Sequence, residues 1–73
     1  MSRLVATIVA DGEAVECSFA EALRCNAEDA EVTAALVGLH AIARQYGAAT
    51  RELDLGAGGL VVLTVRDLDV VVS

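Results

Sequence analysis

The stretch NAEDAEVTAALVGLHAIARQYG, residues 26–47, holds no strand or turn signal and reads as a single helix. Asn26 suits its N-cap, Glu28 and Asp29 complement its positive first turn, and Arg44 with Gly47 supply the stop. At about 100° per residue, Val32, Ala35, Leu36, Leu39, Ile42, Ala43 and Tyr46 fall on one stripe, the side expected to face a sheet. Opposite them lie Ala30, Ala34, Gly38 and Ala41 with Val37 beside them, while Asp29, Thr33, His40 and Arg44 gather on one flank. A surface helix normally carries Lys and Glu opposite its core stripe. Ala34 and Gly38, four apart, permit close approach of a second helix, and a glycine inside a helix costs about 1 kcal/mol relative to alanine. The plainer alternative is that alanine forms helix well and tolerates exposure.

Around this helix the chain alternates like sheet. RLVATIVA (3–10) is a β-branched run closed by Asp11-Gly12, a dipeptide suited to a two-residue hairpin turn. In EAVECSF (13–19), Val15, Cys17 and Phe19 alternate with Ala14, Glu16 and Ser18, as in a strand with one buried face. AEALRC (20–25) reads as a connector. After the helix, TRELDL (50–55) alternates, GAGG (56–59) turns, LVVLTV (60–65) is almost wholly apolar, and Arg66-Asp67 reverses the chain into LDVVVS (68–73).

The expectation is one α+β domain over residues 1–73, ββαβββ, with a five-stranded antiparallel sheet and one helix between strands 2 and 3. Strands apolar on both faces belong inside a sheet and alternating ones at its edges, which gives the order 2-1-5-4-3.

The chain has 73 residues, a size at which a private core is marginal and partners are common. It is 56% hydrophobic but 3% aromatic, with no proline, so it has ample Ala, Val and Leu to bury. The net charge is -6, and the cations Arg3, Arg24, Arg44, Arg51 and Arg66 form no cluster, which disfavours nucleic acid. No stretch suits membrane insertion or a signal peptide, so a cytoplasmic location is expected.

Five strands span about 24 Å and one helix covers about 10 Å, so a second helix is expected from a second copy, packed antiparallel about a twofold axis. The opposite sheet face is expected to leave roughly 400 Å² of largely apolar surface bare.

Little points to catalysis. Cys17 and Cys25, with a single His in the chain, do not have a zinc spacing and read as ordinary thiols of a reducing cytosol, although Cys25 precedes the expected helix start. His40 reads as a surface histidine. GAGG lacks the Lys-Ser/Thr continuation of a phosphate loop and opens a strand rather than a helix. Glu13, Glu16, Asp67 and Asp69 read as solubilising charges. No cofactor and no metal are expected.

The succession VADGEAVECSF, DAEVTAALVGLHAIARQYG and RELDLGAGGLVVLTVRDLDVVVS resembles the roadblock / dynein light chain family across nearly the whole chain. Its marks are a strand ending in Asp-Gly, a small-residue helix closed by Gly47, and the pattern G-x-L-V-V-x-x-V-x-D-x-x-V-V-V from Gly58. The resemblance implies a roadblock/profilin-like fold and a dimer in which central helices pair and third strands join into one sheet. Ala30, Ala34, Gly38 and Ala41 would line the helix pair, and Arg51 to Leu55, including Leu53, would form the joining edge. It further implies a non-enzymatic platform for small Ras-like GTPases. The family's usual first and last helices have no counterpart here. From a different class, a structural self-assembling subunit without a GTPase client is the alternative.

Residues 26–62 also look like the helix and following strand of ribonuclease H-like nucleases, with Asp11 and Glu28 as carboxylates for a metal. That likeness fails at Gly56-Ala57, where the family would place Asp-Ser, and at residues 60–72, which read as strand rather than helix. Two-metal chemistry requires several converging carboxylates.

Overall fold

A computed structural model describes residues 3–56 and 59–70. β1 (Leu4–Ala10) and β2 (Glu13–Ser18) form a hairpin, and its turn residues Asp11 and Gly12 take φ of 52° and 78°, the mirror-image turn that suits strand twist. Then come α1 (Phe19–Cys25), α2 (Ala30–Tyr46), β3 (Ala48–Asp54) and β4 (Leu60–Asp67). The sheet runs β2-β1-β4-β3 with every pair antiparallel, so the class is α+β and the order among the described residues is ββααββ.

This corrects the expected five-stranded order. β1 pairs with β4 along its length, from Leu4 opposite Asp67 to Ala10 opposite Val61, so the two are direct neighbours and no fifth strand separates them. The expected reversal at Arg66-Asp67 is instead the end of β4. Asp67 is 5% exposed, and its amide donates to the Gly47 carbonyl at 2.9 Å while its Oδ1 accepts from the Asp69 amide at 3.0 Å. The turn follows at Leu68-Asp69, tied to the chain start by the Leu68 amide on the Arg3 carbonyl at 2.9 Å and an Arg3–Asp69 ion pair at 3.6 Å. Asp67 is thus structural rather than solubilising. Residues 71–73 of the expected strand lie outside the described residues.

A second correction concerns residues 19–25, which form a helix rather than a strand end and connector. Ser18 caps it, its Oγ accepting from the Glu21 amide at 3.2 Å, and Glu21 and Arg24 complement the two ends. Asn26 therefore closes α1 instead of opening α2: its amide and its Nδ2 both donate to the Ala22 carbonyl, at 3.2 and 2.8 Å. Asp29 is the N-cap of α2, accepting from the Glu31 and Val32 amides. The far end is as expected, with Gly47 at φ 98° donating to the Ala43 carbonyl at 2.7 Å.

Both helices lie on one face of the sheet, α1 against β1 and β2 and α2 against β3 and β4. The core between the layers holds Ala6, Leu63 and Val65 from the sheet, Ala22 from α1, and Val32, Ala35, Leu36, Leu39 and Ala43 from α2. Removing a Leu such as Leu36 or Leu63 from water contributes about 2 kcal/mol. The helix that area arithmetic demanded from a second copy is supplied by α1 of the same chain. Its short length still leaves Val15 exposed toward the hairpin tip, where a buried position was expected.

Candidate functional site

The outer side of α2 is apolar and open to solvent. Ala30, Ala34, Gly38 and Ala41 lie along it, and Val37 is 53% exposed. Two residues expected under the helix join them at its surface, Ile42 at 48% and Tyr46 at 66% exposure. The buried stripe is therefore narrower than the periodicity predicts: with α1 filling the other half of the layer, α2 rests only on β3 and β4. At Gly38 a Cβ would meet nothing within 4 Å and the backbone has no positive φ, so nothing inside this chain requires glycine there.

Among the described residues β3 pairs with β4 alone and forms one edge of the sheet, as the sequence places it. The Leu55 amide donates to the Gly59 carbonyl and the Asp67 amide to the Gly47 carbonyl, each at 2.9 Å, which fixes the phase of the ladder. Residues 47, 49, 51, 53 and 55 direct their peptide groups to β4, and Ala48, Thr50, Glu52 and Asp54 direct theirs outward, where no further strand lies among the described residues. Among the expected edge residues, Arg51 is exposed, whereas the Leu53 side chain is 6% exposed in the core and Leu55 packs against it. Leu53 and Leu55 thus hold the edge strand against the core.

The sheet face away from the helices carries Ala14, Glu16 and Ser18 of β2, Val5, Thr7 and Val9 of β1, Leu60, Val62, Thr64 and Arg66 of β4, and Ala48, Thr50, Glu52 and Asp54 of β3. It is more polar than expected. Thr7, Thr64 and Thr50 stand side by side, with Thr64 Oγ1 and Thr50 Oγ1 3.1 Å apart, and Arg66 pairs with Glu16 at 3.4 Å.

The remaining chemistry-bearing residues are dispersed. His40 is half-buried, its ring stacked on Phe19 with centroids 4.9 Å apart, so it joins the two helices rather than standing alone on a polar flank. Cys17 is half-buried beneath α1, and burial, then Glu21, then Cys25 raise its pKa above the ordinary 9.0, which suppresses its thiolate. Cys25 is exposed at the end of α1. Asp11 sits in the hairpin turn and Glu28 between the helices, and no group of three or more His, Cys, Asp or Glu able to hold a metal occurs among the described residues. Residues 60–67 are strand where the nuclease likeness requires helix. Among the described residues no helix is long and apolar enough to cross a membrane.

No family model matches the chain, and no curated protein or solved structure matches it.

Proposed function

We propose that this chain is a non-enzymatic, self-associating adaptor whose paired copies present a helix pair and a joined sheet to a small Ras-like GTPase. The observation that carries self-association is Gly38. A helix-weakening residue sits at the middle of an exposed apolar stripe with open space around it, in company with Ala34, Val37 and Ala41. Close packing of a second helix against this stripe would offset the propensity that glycine forfeits. The free peptide groups along β3 support the same reading, since they offer main-chain hydrogen bonds to a second strand.

The client rests on the resemblance to roadblock / dynein light chain proteins in the Asp-Gly hairpin, the small-residue helix and the G-x-L-V-V pattern. The four described strands and the extra helix α1 depart from that family's arrangement. Immobilised chain, offered cytosolic extract loaded with GDP or with a non-hydrolysable GTP analogue, tests it. A small GTPase retained in a nucleotide-dependent manner supports the adaptor; self-association without any such GTPase supports the structural subunit.

A further inference from the structure

We infer that β2, the edge of the sheet remote from β3, takes up an extended basic segment of another protein, which adds to it as a further antiparallel strand. The inference goes beyond the adaptor proposed above and stands whether or not that reading holds, since it uses neither α2 nor β3.

Among the described residues β2 pairs with β1 alone. The two-residue turn at Asp11-Gly12 makes Ala10 and Glu13 a hydrogen-bonded pair, and this fixes the phase of the hairpin. Glu13, Val15 and Cys17 direct their peptide groups to β1, whereas Ala14, Glu16 and the amide of Ser18 direct theirs outward. An added strand therefore finds main-chain donors and acceptors along β2. Beyond its last residues, where β2 passes into α1, lies an open groove of about 610 Å³ lined by Leu4, Val5, Cys17, Phe19 and Leu68. That volume is of the size that binding sites use.

The side chains along this edge say what kind of strand fits. On the helix side Val15 is exposed and the apolar groove follows it, so the added strand places apolar residues beside Val15 and Cys17. On the other side Glu16 is exposed, so the residue opposite it is Lys or Arg. Asp11 in the turn, Glu13 at the start of β2 and Glu21 in the first turn of α1 add to the negative charge. The nearby cations are Arg66, already 3.4 Å from Glu16, and Arg24 in the last turn of α1, so carboxylates outnumber them. A second copy of this chain is a poor occupant, because β2 against β2 brings a second set of the same carboxylates to the seam. The charge that opposes pairing of β2 with itself is the charge that selects a basic partner.

Residue-resolved hydrogen exchange tests the edge, with a synthetic peptide of alternating Lys and Val, long enough to lie along β2, added to the full chain. The amides of Ala14, Glu16 and Ser18 should gain protection, while those of Ala48, Thr50, Glu52 and Asp54 stay as they were. By fluorescence anisotropy the labelled Lys-Val peptide should bind at least about tenfold more tightly than its Glu-Val counterpart, and Glu13→Lys combined with Glu16→Lys should reverse that preference. Protection on β3 alone, or equally on both edges, overturns the choice of β2. Equal binding of the two peptides, or a preference that the double variant leaves in place, overturns the charge selection, and no binding overturns the proposal outright. Protection of Ala14 and Glu16 in the chain alone also overturns it: a second copy is then the occupant when protection rises with concentration, and the chain's own residues 71–73 when it does not.

Discussion

The amide of Asp67 donates to the carbonyl of Gly47 across 2.9 Å, tying the last residue of β4 to the residue that stops α2. Gly47 is buried and sits at φ 98° and ψ -30°, a conformation that other residues rarely adopt. Gly47→Ala should therefore destabilise the fold by at least about 1 kcal/mol, read as a lower urea midpoint at unchanged m-value. Asp67→Ala should cost about 1–3 kcal/mol, since it removes the buried acceptor for the Asp69 amide.

Gly38 invites the opposite sign. With open space at the Cβ position, Gly38→Ala should raise the stability of the isolated chain by about 1 kcal/mol through helix propensity. Gly38→Leu should also fold, yet dissociate the proposed dimer by holding the α2 backbones apart. Light scattering over a dilution series, beside thermal melts of the same variants, separates the two effects. A dimer that persists in the Gly38→Leu variant removes α2 from the interface.

The central residues of the fold were legible because their patterns have a single reading. The mirror-image turn at Asp11-Gly12, the stop at Gly47 and the interior placement of the strands containing Val5 and Val62 all follow from local geometry or from apolarity on both faces. Residues 19–25 were not legible by alternation, because Phe19 continues the strand pattern of Val15 and Cys17. The decisive signal is Ser18 followed three residues later by Glu21, a capping sequence that overrides alternation. Without α1 in view, Asn26 stands as the helix start, although Asp29 is an equally good cap. The exposed stripe of α2 was legible in position, but its width was not: how far α2 reaches across the sheet depends on whether α1 exists. The burial of Asp67 depends on a contact with Gly47, twenty positions away in sequence, and no local pattern announces it.

The Ser18 cap can be tested apart from the rest of the molecule. Ser18→Ala removes the acceptor of the Glu21 amide and should cost about 1 kcal/mol, with Ser18→Asp close to neutral. Hydrogen exchange localises the effect: amides of α1 should lose protection in Ser18→Ala before those of α2. Equal loss in both helices would show that α1 does not open on its own.

Cys17 gives the fold a dependence on alkaline pH. Burial first, then Glu21 and Cys25, raise its pKa above 9.0, so the folded chain holds the thiol proton where the unfolded chain releases it. The unfolded state therefore binds fewer protons at high pH, and the linkage relation makes stability fall as pH rises from about 9 through the folded-state pKa. Below that window this group contributes no slope. Urea midpoints measured between about pH 7 and 11 should decline for the native chain and decline less for Cys17→Ala, which cannot titrate. Alkylation gives the same sign: near pH 8, Cys17 should react more slowly in the folded chain than in urea, because the thiolate is the reacting species. Equal rates in the two states would show that the space beneath α1 leaves the Cys17 thiol as free to ionise as in the unfolded chain.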